Sequence, residues 1–226
     1  MKFSTAVLTA PRPNCLLGQT IDSLVEAGWS ASELVIHDGS PPLGHTPSPK
    51  WCTEAYRTLF RGALDRWTDE EGLLVFEDDV AVCLGLKEYL ERIPWPEDIR
   101  GIAMVTPYCP TAYSNYGDFD KWHREDQRDT IAGTQSFIYT RRAVEMFVRQ
   151  LDPDMPHEFH KDAYAGVDVQ VGQIAKRANM HIWYHIPSLV QHVGICNSAV
   201  GFTTDLGTIY SAETFPGTRF DARGLS

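Results

Sequence analysis

Short apolar runs alternate along the chain with stretches whose apolar residues recur at helical spacing. Phe3 to Leu8 reads as a strand, closed by the turn Thr9-Ala10-Pro11-Arg12-Pro13. Asn14 is placed to cap a helix with the apolar face Leu17, Ile21, Leu24 and Val25, which stops at Gly28. Glu33 to His37 reads as a second strand, closed by Asp38-Gly39-Ser40-Pro41-Pro42, and a Pro- and Gly-rich loop runs to Pro49. The next helix places Ala55, Leu59, Ala63 and Trp67 on one face. Leu73 to Phe76 is wholly apolar, as expected of a central strand covered on both sides. Leu86, Tyr89, Leu90 and Ile93 mark a helix stopped by Pro94 and Pro96, and Ile102 to Val105 is a further strand. From Tyr108 to Thr130 the chain is polar and aromatic without a clear period, which predicts a long functional loop. Ser136 to Tyr139 reads as a strand, followed by a helix on Ala143, Phe147 and Leu151. Val167, Val171, Ile174 and Ala178 define the last helix, and Met180 to Ile186 the last strand.

This alternation predicts an α/β fold with a mainly parallel sheet and helices on both faces. In such sheets ligands sit beyond the carboxyl ends of the strands, which says where to look for chemistry. The 226 residues suit one domain over 1–200, with 201–226 as a Gly- and Thr-rich tail able to cover the site or stay loose.

Composition narrows the function classes. The formal net charge is −10, so no global positive field draws the protein to nucleic acid or anionic lipid, although a local basic patch is compatible with that balance. The apolar stretch ending at Leu8 is too short for a signal peptide, and no run has the length that spans a bilayer. The five cysteines are odd in number and widely spaced, with neither a zinc pattern nor a disulfide framework. A reducing, cytoplasmic location is the expectation.

The sharpest chemical feature is Phe76-Glu77-Asp78-Asp79-Val80, directly after the apolar strand. Three consecutive carboxylates at the end of a buried strand repel one another, and a divalent cation relieves that repulsion. Extended chain would put Glu77 and Asp79 on one side and Asp78 on the other, so the outer pair could face a metal–diphosphate together. Hard oxygen ligands suit Mg2+ or Mn2+, which also bind substrate phosphates. A solvated acidic turn is the plainer alternative. Two other strands end in turn-forming sequence on what should be the same edge: Thr9 to Arg12, and Asp38-Gly39-Ser40. An Asp there can accept from a base imide or a ribose hydroxyl, while an ordinary Asp-Gly turn accounts for the same residues.

Taken together, His37-Asp38-Gly39-Ser40, Glu77-Asp78-Asp79, Gly133-Thr134-Gln135 and Pro187-Ser188-Leu189-Val190-Gln191-His192-Val193-Gly194 resemble the GT-A glycosyltransferases. The last run resembles a segment of the N-acetylglucosaminyltransferase IV family and related small bacterial or phage transferases. The resemblance covers most of residues 3–200. It implies a Rossmann-like GT-A sheet, a nucleotide-sugar donor such as a UDP-sugar, and Mn2+ or Mg2+. Asp79 matches the last acid of the DXD-type motif, which touches the metal. Glu77 matches the first, nearer the ribose or a metal-bound water, with Asp78 beside the donor. Asp38 would read the base, with Thr9, Pro11 and Arg12 alongside. His192 would be a metal or diphosphate contact, or else an imidazole held within a turn.

Asp168 lies in the first turn of the last helix, where the helix dipole favours a carboxylate. An ionised Asp there suits a general base, the role an acid at a comparable point has in inverting GT-A enzymes. It would otherwise be a capping acid, with Asp162 as the reserve base. His181, Trp183 and His185 alternate along a strand and should line one sheet face. Within the long loop, Tyr113, Tyr116, Phe119, Trp122, Arg124 and Arg128 are candidates for an acceptor site, since aromatic faces suit sugar rings.

The expected reaction is transfer of a sugar to a hydroxyl acceptor, a glycan or lipopolysaccharide precursor. One alternative is a phage-type enzyme acting on hydroxymethylated pyrimidines in DNA. It would need a basic groove, for which Arg124, Arg128, Arg141, Arg142 and Lys161 are available. Another is a carbohydrate-binding protein without catalysis on the same fold. A sugar nucleotidyltransferase would begin with a Gly-rich phosphate loop, which Pro11-Arg12-Pro13 is not.

Overall fold

Leu73 to Phe76 are all apolar, so a strand built from them has two faces to bury. The computed structural model, which describes residues 1–11, 15–110, 121–125, 131, 133–156, 165–194 and 211–225, buries both. The chain runs β1 (Phe3–Thr9), α1 (Leu17–Glu26), β2 (Leu34–Asp38), α2 (Pro49–Arg66), β3 (Gly72–Glu77), β4 (Val80–Val82), α3 (Leu86–Arg92) and β5 (Ile102–Thr106). It continues as β6 (Lys121–Arg124), β7 (Ser136–Thr140), α4 (Arg141–Gln150), α5 (Val167–Arg177), β8 (His181–Ile186) and β9 (Val190–His192). Seven strands form one sheet in the order β2-β1-β3-β7-β5-β8-β6, and β4 pairs with β9 in a small second sheet. β7 and β6 run against the other five, which makes the sheet mixed and mainly parallel.

Strand alternation divides the apolar residues between two cores. Leu73 and Val75 join Tyr56, Phe60, Ala143, Phe147, Val171 and Ile174 under α2, α4 and α5. Leu74 and Phe76 join Leu24, Leu86, Tyr89 and Leu90 under α1 and α3. His181, Trp183 and His185 do line one face of β8. His185 sits between the Tyr89 hydroxyl at 2.6 Å and the Pro187 carbonyl at 2.7 Å, and Trp183 Nε1 donates to Glu97 at 3.2 Å.

Several details differ from the sequence reading. The buried face of α2 is Tyr56, Leu59, Phe60 and Ala63, one residue round from the predicted stripe, with Ala55 and Trp67 only half-buried. Val25 is 45% exposed, because α1 meets the sheet through Thr20 and Leu24 and leaves Val25 on its flank. Helix α1 starts at Leu17 behind Leu16 and has no side-chain cap; Asn14 lies outside the described residues. The long loop contains β6, which pairs antiparallel with β8, and four residues are too few to display a period. β4 and β9 were missed for the same reason. In 211–225, Ala212, Ala222 and Leu225 are buried against the α1–α3 side.

Among the described residues no helix is long and apolar enough to cross a membrane, and Cys15, Cys83 and Cys109 are free thiols.

Phe60 is fully buried among Tyr56, Tyr139 and Phe147, with ring centroids 5.7, 5.0 and 5.8 Å away. Phe60→Ala should therefore lower unfolding free energy by about 3–5 kcal/mol in urea titrations, with the slope unchanged.

Candidate functional site

Strand register fixes what the carboxyl edge of the sheet carries. Thr9 pairs with Asp38 across β1 and β2, and Leu8 pairs with Glu77 across β1 and β3, so Thr9, Asp38 and Glu77 end at one level. β7 runs antiparallel to β3, with Ser136 opposite Phe76, so the strap Gly133-Thr134-Gln135 enters β7 from that same edge. The three acids of the Glu77-Asp78-Asp79 run, which all lie here, point to different neighbours. Glu77 accepts from the Tyr56 hydroxyl at 3.2 Å and from the Thr134 hydroxyl. Asp78, fully buried, accepts from the Thr9 hydroxyl at 2.5 Å and the Ala10 amide at 3.3 Å. Asp79 Oδ2 lies 3.0 Å from His192 Nε2, and their side chains are only 4% and 11% exposed.

This corrects the period-two reading of the acids. β3 ends at Glu77 and the chain turns over Asp78 and Asp79, so alternation stops where the carboxylates begin. Glu77 faces α2 and the strap, whereas Asp79 faces β9. Sequence order alone does not show where a buried strand yields to a turn.

Burial holds the Tyr56 phenol well above its ordinary pKa, and the negative charge of Glu77 adds to the effect, so Tyr56 stays a hydroxyl donor. Burial likewise raises Tyr139, with Glu77, Cys52 and Asp168 as further contributors, which places the charges of Glu77 and Asp168 around one buried ring. Asp168 opens α5 as read from the sequence. Its Oδ2 accepts the Gly133 amide at 3.3 Å and its Oδ1 the Val169 amide at 2.9 Å. Gly133 has φ +73°, and a Cβ there would strike the Gln135 side chain. The strap therefore touches both acids: Thr134 holds Glu77, and Gly133 holds Asp168.

Asp38 is exposed at the end of β2, its carboxyl held below the usual range by the Ser40 hydroxyl and then by the Ser40 amide, 2.9 Å away. Gly39 lets the chain close onto β1: its amide donates to Thr9 O at 2.7 Å, and a Cβ would come within 2.9 Å of that oxygen. Beside it burial lowers the His37 pKa. Pro11 is exposed next to this edge. Arg12, Asp162, Tyr113, Tyr116, Phe119, Arg128 and Lys161 lie outside the described residues. Trp122 is committed to packing, its ring edge-to-face with His185 at 5.1 Å, and so is not the open sugar platform expected of it.

Four positions of the late segment have evident contacts. Ser188 Oγ accepts the Cys109 amide at 2.9 Å and donates to Val190 O at 2.7 Å. Gln191 exchanges two hydrogen bonds with Ala212, and His192 meets Asp79. Gly194 is obligatory in its place, because a Cβ would overlap the Asp79 carboxylate. Among the described residues no three His, Cys, Asp or Glu side chains form a ready metal cage. The Asp79 carboxylate is a hard oxygen ligand of the kind Mn2+ and Mg2+ take alongside water and substrate phosphates. Tyr56, which reaches Glu77, lies off the α2 stripe Ala55, Leu59, Ala63 and Trp67 read from the sequence, so the sequence does not single it out.

No family model matches the chain, and no curated protein sequence matches it. Among solved structures it is similar to a glycosyltransferase involved in glycosylation of the major capsid of PBCV-1, at 14% identity and TM-score 0.38 over 63% of each chain. The chain thus spans less than two-thirds of that protein. It is also similar to a protein from STIV, at 13% identity and TM-score 0.43 over 84% of each chain. A third likeness is to a nucleoside-diphosphate-sugar pyrophosphorylase from Vibrio cholerae, at 9% identity and TM-score 0.48, covering 84% of this chain and 95% of that one. All three TM-scores are below 0.5, so the functional argument rests on the residues. Sheet order and edge define the class as a Rossmann-like mixed α/β domain with an acidic edge.

Thr134→Val keeps the volume but removes a donor from the part-buried Glu77. It should cost about 1–3 kcal/mol in urea unfolding, and Thr134→Ser should recover most of that loss.

Proposed function

We propose that the protein is a nucleotide-sugar-dependent glycosyltransferase acting on a hydroxyl acceptor with inversion at the anomeric carbon. One observation carries the reading: the buried Asp79–His192 pair, Asp78, Glu77 and Asp168 meet at the carboxyl edge of a mainly parallel sheet. Mn2+ or Mg2+ would be held by Asp79 and His192, and would supply positive charge against the departing diphosphate. Asp38, exposed and ionised, is suited to accept from the base imide or ribose of a UDP-type donor. The Thr9–Asp78 bond ties the end of β1 to the acidic turn, which fixes the loop expected to line the donor. Asp168, half-buried and held by two amides, keeps its carboxylate in one orientation. It takes the acceptor's hydroxyl proton as that oxygen bonds to the anomeric carbon and the bond to the diphosphate breaks.

A glycan or lipopolysaccharide precursor is the favoured acceptor. The modified-DNA reading loses two of its phosphate contacts. Arg141 and Arg142 open α4 after Thr140, which pairs with Gly72 at the edge opposite the acids.

Calorimetric titration with UDP and UDP-sugars, with and without Mn2+, tests the donor. Wild type should bind in a metal-dependent way and Asp79→Asn should lose that binding with little change in Tm; a fully active Asp79→Asn protein would end the proposal. Asp168→Asn should retain donor affinity while transfer falls by about 10^2–10^4-fold. If donor binds and Asp168→Asn turns over normally, Asp168 is a capping acid and another residue serves as base. Donor binding without any turnover across acceptor panels would instead favour the carbohydrate-binding alternative.

A further inference from the structure

β4 is only three residues long and has β9 on one side, with Val80 opposite His192 and Val82 opposite Val190. In an antiparallel ladder alternate residues turn their backbone groups away from the partner strand. Val80 and Val82 turn theirs towards α1. Thr20, fully buried on α1, donates its hydroxyl to Val80 O at 3.0 Å and accepts Val80 N–H at 3.1 Å. One turn later Ser23 Oγ accepts Val82 N–H at 3.0 Å. Helical i, i+3 spacing thus matches every second residue of a strand, and two hydroxyls stand in for a missing neighbour strand. Val80 directly follows Asp79, and the Val193 amide, just after β9, donates to Asp79 O at 2.8 Å, so Thr20 and Val193 hold the backbone at the end of the acidic turn.

We infer that Thr20 is a positioning residue for the acidic turn, fixing Asp79 against His192 so that α1 and the donor-binding edge move as one unit. The inference rests on the donor reading above for its functional consequence, but its geometric content stands apart. Without the hydroxyl, the buried N–H and C=O of Val80 lose their partner, and the turn must shift to find others. Ser23 alone would hold β4 from Val82, three residues past Asp79 and too far on to fix it.

The test compares Thr20→Val, Thr20→Ser and a matched control, Thr140→Val. The control also loses a buried hydroxyl, one bonded to Ile102 O at 2.9 Å and the Ala143 amide at 3.3 Å at the far edge of the sheet. Hydrogen exchange should speed up at Val80 and Val193 in Thr20→Val only. UDP affinity in Mn2+ should fall about tenfold or more in Thr20→Val. It should recover in Thr20→Ser and stay at the wild-type value in Thr140→Val at a similar loss of Tm. Unchanged exchange at Val80 and Val193 in Thr20→Val overturns the inference, as does an equal loss of affinity in Thr140→Val. If wild type binds no nucleotide while exchange still rises as stated, the donor reading fails and the positioning role of Thr20 stands.

Discussion

Two adjacent carboxylates, Asp78 and Asp79, are almost wholly withdrawn from water at the end of a buried strand, and Glu77 beside them is half-covered. Each ionised group would cost several kcal/mol there if left without partners, and side by side they repel one another. The chain answers by separating them. Asp78 turns to β1, Asp79 to β9, and Glu77 to α2 and the strap before β7. Because every partner comes from a different part of the sequence, satisfying the acids forces distant segments to one edge. The site and the fold are in this sense one problem.

The strap shows how the constraint spreads. Thr134 presents its hydroxyl to Glu77 and its carbonyl to Tyr56, at 3.2 Å, while the Gly133 amide reaches Asp168. A positive φ at Gly133 makes both contacts possible from adjacent residues, and the Gln135 side chain occupies the space a Cβ would need. A displacement of Glu77 would therefore be felt at Asp168 through two residues of backbone. Proposed donor and acceptor functions lie on different elements, but their carboxylates share one support.

Much of this was legible in the chain. Wholly apolar Leu73 to Phe76 could only be a strand covered on both faces, and the turn-forming ends of β1 and β2 placed Thr9 and Asp38 on its carboxyl edge. Asp168 is placed by the sequence because it directly follows the N-terminal residue of a strongly periodic helix. What escaped detection was decided by tertiary contacts. Tyr56 looks like any core aromatic until the Glu77 carboxylate is set beside its hydroxyl. Thr20 looks like a neutral helix residue until β4, too short to carry a period, lies along α1. Trp122 has the composition of a sugar platform, yet edge-to-face packing on His185 claims the ring.

The segment from Pro187 to Gly194 is held in place by contacts to three separate parts of the chain. Ser188 is anchored twice, its own N–H donating to Thr214 Oγ1 at 3.0 Å and its hydroxyl accepting the Cys109 amide at 2.9 Å. That anchoring sets the level at which β9 begins, and β9 is three residues long, so the level alone decides that His192 falls opposite Val80. Gln191, one residue earlier, clasps Ala212 and fastens residues 211–225 along the outside of the small sheet. Gly194 then leaves room for the carboxylate that His192 meets. Ser188, Gln191, His192 and Gly194 each answer to a different neighbour, and together they bring one imidazole to one buried acid, while the Val193 side chain stays exposed.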